Sequence, residues 1–184
     1  MGNLIPAAVW LVPAIFGIRS IVATHELAGT GLGILAFATG LGWLALNQFG
    51  LYQNSRMKIR LTAILGKTAK LPQERFFVGF SSPKFTGVLD AHEDVGFLCL
   101  GKDSISFVSE TRVVELKRAE VTQVEFRPNV HSMVGLGRWI SIEALRSGVR
   151  IRMLIEPRER RTMLGNLREG KPLKLALQAW IGQK

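Results

Sequence analysis

The chain has 184 residues, of which 47% are hydrophobic, and a formal net charge of +10 at pH 7. Its single cysteine, Cys99, excludes an intrachain disulfide and suits a reducing compartment. Residues 1–52 carry only Arg19 and Glu26, whereas residues 76–184 carry 17 basic and 12 acidic residues. This uneven charge excludes one uniform soluble domain and predicts an apolar N-terminal region followed by a domain large enough for its own core.

The N-terminal region predicts a transmembrane helical hairpin. Residues 4–18 and residues 27–55 are free of charged side chains and are mostly apolar. A helix that crosses hydrocarbon needs roughly 20 such residues. The second stretch meets this length, and the first meets it only if Arg19 is included. Whether the first segment spans fully or is re-entrant is left open by the sequence.

Small residues recur along the second apolar stretch at steps of four, three and four. Small residues at this spacing share one helical face and let two helices approach closely in lipid. We therefore predict a packing seam, against the first span or against a second copy of the chain. The alternative is that glycine is simply frequent in membrane helices. The seam consists of Gly29, Gly33, Ala36 and Gly40.

A basic juxtamembrane segment follows at residues 53–75, with six basic residues against one acid, Glu74. The positive-inside rule places this side of the hairpin, and hence both termini, in the cytoplasm. We expect an integral protein of a bacterial inner (plasma) membrane. The segment is either a basic helix along the bilayer surface or a solvated linker. The residues predicted to contact the membrane surface are Arg56, Lys58, Arg60, Lys67 and Lys70.

From residue 76 the hydrophobic period changes to two, which indicates half-buried antiparallel strands. In residues 148–155, for example, Ile151 and Met153 alternate with Arg150 and Arg152. Short, regularly spaced strands predict a small barrel or sandwich. Pro157 suits the first turn of a closing helix, which Gly170 and Pro172 interrupt. The predicted strands lie near 76–80, 86–90, 95–100, 103–109, 112–118, 121–127, 138–143 and 148–155.

Residues 95–126, VGFLCLGKDSISFVSETRVVELKRAEVTQVEF, resemble the core of GRAM and bacterial pleckstrin-homology-like domains. The resemblance extends over residues 76–184 and implies a bent antiparallel β-barrel capped by a C-terminal helix. Members of these families bind lipids or proteins. Phosphoinositide-binding members carry clustered Lys and Arg in the first strand pair, whereas residues 76–101 of this chain contain only Lys84.

No motif of a catalytic or metal site stands out. His92, Glu93 and Asp94 form an acid–histidine cluster that His131 or Cys99 would have to complete, but the spacing is not that of a zinc site. Nucleophile-elbow, HExxH and phosphate-loop motifs are missing from the sequence. We therefore predict no enzyme, no metal and no cofactor. Half of the net charge lies beside the membrane, which favours a membrane surface over nucleic acid as its partner.

Together these features predict a membrane-anchored α+β protein. Residues 1–52 form the transmembrane hairpin, residues 53–75 the basic segment, and residues 76–184 the cytoplasmic domain. The expected function is a binding module for lipid headgroups or a partner protein. The alternative is a small structural subunit of a larger membrane complex. The expected partners are membrane lipids, with a membrane protein or a second copy as further candidates and no nucleic acid.

Overall fold

The computed structural model describes residues 4–25, 29–68, 72, 74–84 and 92–182. The fold is α+β, with three N-terminal helices, one seven-stranded antiparallel sheet and a C-terminal helix. The chain divides into two compact units, Met1–Tyr52 and Gln53–Lys184. The segment that follows the apolar region therefore belongs with the sheet, because its helix packs there.

The first unit consists of two antiparallel helices, α1 (Leu4–Thr24) and α2 (Thr30–Phe49). Both are long and apolar enough to cross a membrane. Helix α1 runs on through Pro13, although proline removes a backbone donor inside a helix. Between the helices, His25 and Gly29 adopt positive φ angles of 55° and 150°.

Glycines bring α1 and α2 close together, and they are not the predicted ones. A β-carbon on Gly17 would lie 3.0 Å from the carbonyl oxygen of Gly31, and one on Gly31 would lie 3.0 Å from that of Gly17. A β-carbon on Gly42 would lie 2.9 Å from the Trp10 side chain. The α1–α2 contact therefore depends on side chains too small to hold the backbones apart.

The second unit begins with helix α3 (Asn54–Thr68), which packs on one face of the sheet. Leu61 and Leu65 of α3 form an apolar cluster with Phe77, Phe97 and Cys99. The Phe77 and Phe97 rings are 5.6 Å apart and tilted by 52°. The basic segment is therefore neither a free linker nor a separate region: its helical part is a layer of the folded domain.

The sheet has the strand order β4-β3-β2-β1-β7-β6-β5, and every pair is antiparallel. Short 3₁₀ turns lie at Arg118–Glu120 and Val130–Val134. The predicted strand near 86–90 lies outside the described residues. The strands are β1 (Arg75–Ser81), β2 (Asp94–Leu100), β3 (Ser104–Val108), β4 (Val113–Lys117), β5 (Val121–Arg127), β6 (Trp139–Arg146) and β7 (Val149–Pro157).

The sheet bends around its core but does not close, so the predicted barrel is wrong. Leu116 of edge strand β4 and Val124 of edge strand β5 belong to the same buried cluster, which shows the bend. No ladder joins β4 to β5. Edge strand β4 is instead contacted by a side chain of β6, because Arg146 Nη2 donates to the Glu115 carbonyl oxygen at 2.9 Å.

Helix α4 (Met163–Gly182) fills the open side of the sheet with one continuous run, in spite of Gly170 and Pro172. Leu173, Leu177 and Trp180 enter the core from this helix. The indole Nε1 of Trp180 donates to the Gly101 carbonyl oxygen at 2.7 Å. Pro157 is the last residue of β7, not part of the helix, because the strand continues that far beside β1.

Candidate functional site

A cavity of about 390 Å³ opens between α3, the start of β2 and the β3–β4 turn. Its apolar part is formed by Met57, Leu61, Phe77 and Val95. Its polar part carries both signs of charge and combines one guanidinium with three carboxylates. These polar residues are Arg60, His92, Glu93, Asp94, Glu110 and Thr111.

The carboxylate of Asp94 is held by the β3–β4 turn and by the backbone of the next residue. It accepts hydrogen bonds from Ser109 Oγ at 2.5 Å, from Thr111 Oγ1 at 2.9 Å and from the Val95 backbone at 2.7 Å. Three fixed donors leave the carboxylate little freedom to move. The position of this negative charge is therefore set before any ligand arrives.

Glu93 is fixed by donors from two other segments of the domain. Arg112 Nη2 donates to Glu93 Oε1 at 2.6 Å, and the Ser82 backbone donates to Oε2 at 3.1 Å. The hydrogen bond from Arg112 is the main reason that the pKa of Glu93 falls to about 2, against the opposing effect of burial. Glu93 therefore stays ionised at physiological pH.

Behind the cavity lies a buried carboxylate, Glu156 on β7, on which two distant loops converge. His92 Nε2 lies 3.0 Å and His131 Nδ1 lies 3.3 Å from Glu156 Oε2. Asn129 Nδ2 donates to the same oxygen at 3.1 Å, and the Arg138 backbone donates to Oε1 at 3.0 Å. Burial would raise the pKa of Glu156, but the histidine hydrogen bonds and charges outweigh it and hold that pKa at about 2.

Two glycines make room for this buried cluster. Gly79 pairs with Glu156 across β1 and β7, and a β-carbon on Gly79 would overlap the His92 ring. A β-carbon on Gly137 would overlap the Glu156 carboxylate. The edge of the Trp139 ring system completes the enclosure, with its centroid 5.2 Å from that of His92 and an interplanar angle of 78°.

The cavity is suited to binding a ligand that is both apolar and polar. His92 lines the cavity and also contacts Glu156, so the buried charge supports the cavity wall. Cys99 is not a ready nucleophile, because it is buried under α3 and burial raises the pKa of its thiol. Within the described ranges, no group of three or more His, Cys, Asp and Glu side chains is arranged to hold a metal ion.

The predicted membrane-contact residues have different surroundings. Arg56 and Lys67 are exposed on α3. Lys58 is paired with Glu159 in the β7–α4 loop, so its charge is already matched. Arg60 Nη2 lies 3.7 Å from Glu110 Oε2 and lines the cavity. Lys70 lies outside the described residues.

The predicted small-residue seam does not lie between α1 and α2. Gly29, Gly33, Ala36 and Gly40 are all exposed in the single chain, and a β-carbon on Gly33 or Gly40 would meet nothing within 4 Å. The same helix carries Gly31 on the face that contacts α1. Packing of the exposed face against a second copy or another protein stays a prediction.

Sequence reasoning considered His92 and His131 together but missed Glu156, which joins them. The predicted strand ended at residue 155, so Glu156 was not assigned to either face of the sheet, whereas β7 continues to Pro157. The missed signal was Gly79 on the neighbouring strand β1. Because glycine has no side chain, it leaves space for the buried ring of His92.

A scan of the chain against models of known protein families finds no match, and a search of curated proteins finds no significant similarity.

Proposed function

We propose that this protein is a non-enzymatic, membrane-anchored binding module. Helices α1 and α2 insert in a plasma membrane, both termini are cytoplasmic, and the sheet domain binds a lipid headgroup or a partner protein in the cavity beside α3. The cavity carries the proposal, because it combines an apolar wall with two fixed carboxylates and the exposed guanidinium of Arg60.

The cavity is built as a binding site by its fixed polar groups. Asp94 and Glu93 are held by donors from the β3–β4 turn, so little side-chain entropy is lost when a ligand binds. Arg60 is the cation that would pair with a phosphate or carboxylate. Met57 and Val95 supply accessible apolar area for an acyl or aliphatic group.

The anchor supports the same proposal through the short chain between its helices and the domain. Helix α2 ends at Phe49 and α3 begins at Asn54, so the domain starts within a few residues of the apolar region. A tethered site meets membrane ligands at high effective concentration, so weak intrinsic affinity is enough for occupancy. Resemblance to GRAM and bacterial pleckstrin-homology-like domains agrees with this function, with an open bent sheet in place of a barrel.

Two measurements test the proposal. A reporter fused after Lys184 is expected to read cytoplasmic, as the basic residues of α3 imply. A photo-crosslinking residue in place of Glu110, on the cavity rim, is expected to form an adduct with a lipid or one defined membrane protein. The control is a second variant, in which the photo-crosslinking residue replaces Lys117 on edge strand β4. A reporter on the outside, or equal adducts at both positions, would contradict the proposal.

The alternative function, a structural subunit of a membrane complex, is favoured by the exposed face of α2. Gly33 and Gly40 leave open space on that face, which another span could fill. In that case Gly33→Leu would release the chain from a complex in mild detergent, while the Glu110 photo-crosslinker would give no adduct above the control.

A further inference from the structure

We infer that a second basic surface, distant in sequence from α3, faces anionic phospholipid headgroups of the same membrane. This surface consists of Arg160, Arg161 and Arg168, which line a depression of about 400 Å³ at the start of α4. The inference rests on the proposed function, since it requires that α2 is inserted in a membrane.

The position of this surface is fixed by α3. Asn54, the first residue of α3, is 3% exposed, and its Nδ2 donates to the Arg158 carbonyl oxygen at 3.1 Å and to that of Arg160 at 3.4 Å. Lys58, one turn further along α3, pairs with Glu159 in the same loop. The loop that carries the arginines therefore starts beside the first turn of α3.

Chain length then limits how far the first residue of α3 can lie from the end of α2. Four residues separate Phe49 from Asn54, and five peptide steps extend at most about 18 Å. With α2 inserted, the first turn of α3 lies close to the headgroup region. Arg160 and Arg161 follow it there, because the Asn54 amide holds their loop.

The charge of the surface is only partly neutralised by the domain itself. Arg160 pairs with Glu169, with Nε 2.7 Å and Nη2 2.6 Å from the same oxygen. Arg161 and Arg168 line the depression, are exposed and form no ion pair within the described part of the chain. These two guanidinium groups are the excess charge that a phosphate would match, and guanidinium binds phosphate with two parallel hydrogen bonds.

The arrangement fits a lipid surface better than a single soluble anion. The arginines lie around a shallow exposed depression, and exposed Arg56 belongs to the same first turn of α3 as Asn54. Such spread charge attracts a surface with many phosphates, with each cation increasing the bound-to-free ratio roughly fivefold near an anionic leaflet.

The experiment uses the full chain in lipid nanodiscs of phosphatidylcholine alone or with added phosphatidylglycerol. Cys99→Ser removes the native thiol, and Leu175→Cys places a donor fluorophore on α4, where Leu175 is 55% exposed. Energy transfer to an acceptor on the lipid headgroups reports how close the domain lies to the bilayer. Transfer is expected to rise with phosphatidylglycerol and to fall with salt.

The decisive variant is Arg161→Glu with Arg168→Glu, which should lower the surface-bound to free ratio roughly 25-fold or more at low salt. The matched control is Lys102→Glu with Lys117→Glu, an equal charge change beside the C-terminal end of α4, where Trp180 contacts Gly101. That end lies roughly 25 Å from the first turn of the 20-residue helix. The milder pair Arg161→Gln with Arg168→Gln should give an intermediate loss if the reversed pair disturbs folding.

Equal transfer in neutral and anionic discs would overturn the inference, and so would equal losses in the arginine and lysine pairs. A loss of transfer only with Arg56→Glu and Lys67→Glu would assign the attraction to α3 alone and also overturn it. Added inorganic phosphate that abolishes transfer at constant ionic strength would identify a free-anion site instead. A chain that fails to insert in the discs would contradict the proposed function, which separates that failure from failure of the inference.

Discussion

The side-chain amide of Asn54 donates to the backbone carbonyl oxygen of Arg158, 104 residues later in the chain, at 3.1 Å. Both residues are buried, at 3% and 8% exposure. The first turn of α3 is thus hydrogen-bonded to the loop between β7 and α4. The basic helix that follows the apolar region is attached to the sheet domain by both a polar and an apolar contact.

We expect Asn54→Ala to destabilise the sheet domain by about 1–3 kcal/mol, because the buried Arg158 carbonyl oxygen would lose the Asn54 donor. Thermal unfolding of the full chain in detergent measures the change, and hydrogen exchange should show α3 opening first. Ser55→Ala, at an exposed neighbouring position, is the control and should have little effect. Equal stability of the two variants would contradict the attachment.

The hairpin gives a second prediction, which separates two faces of α2. Gly31→Leu should disrupt the α1–α2 contact, because its β-carbon would lie 3.0 Å from the Gly17 carbonyl oxygen. Gly33→Leu should leave that contact intact, because the space beside Gly33 is open. Disulfide crosslinking between cysteines introduced in α1 and α2 measures the contact in each variant. A loss of crosslinking in the Gly33 variant alone would restore the seam predicted from the sequence.

The buried carboxylate of Glu156 predicts that the folded domain loses stability in acid. The pKa of Glu156 is lowered from 4.5 to about 2 in the folded chain, so the ionised form is the one that folding favours. Its stabilising effect is complete above the unfolded value and is lost as pH falls from about 4.5 to about 2. Unfolding midpoints measured over this range should drop in the wild type and drop less in Glu156→Gln.

Glu115→Gln serves as the control for that titration, because Glu115 is exposed on the edge strand β4. Its midpoints should follow the wild-type curve throughout the acid range. If Glu156→Gln follows the same curve too, the two histidines do not stabilise the ionised carboxylate.

Substitutions of Trp180 test how much α4 contributes to the stability of the domain at the open side of the sheet. Its indole donates to Gly101, and the Arg118 guanidinium lies 4.6 Å from the ring centroid. Trp180→Phe should cost about 1–2 kcal/mol through the lost hydrogen bond. Trp180→Ala should cost about 3–5 kcal/mol, because it also leaves a cavity. Leu175→Ala, on the exposed side of the same helix, should cost far less in the same denaturant titration.

The sequence predicted much of the secondary structure, because the patterns are strong and local. Alternation around Ile151 and Met153 predicted β7, and the uncharged runs predicted α1 and α2. The predicted position of Pro157 in the closing helix was wrong. Proline can occupy either the end of a strand or the first turn of a helix, and the pairing of β7 with β1 decides between them. The open sheet could not be predicted, because closure depends on whether two edges pair across the whole domain.

The candidate site was harder to predict than the strands. Glu156, His92 and His131 come from three elements that meet only after the sheet has formed. The docking of α3 was hidden for a similar reason: Leu61 and Leu65 pack against an apolar patch on β1 and β2. The helical spacing of Met57, Leu61 and Ile64 in the sequence indicates an apolar side but not whether its partner is lipid or sheet.

Because α3 is a layer of the domain, little chain remains to act as a spacer. If residues 53–75 were extended, the domain would reach roughly 75 Å from the bilayer, whereas the connection left between Phe49 and Asn54 allows about 18 Å. A ligand held on an opposing membrane would have to come within the length of this connection and of the domain itself. In the proposed topology the protein therefore acts in cis, on molecules that share its own leaflet, and it finds them by lateral diffusion in two dimensions.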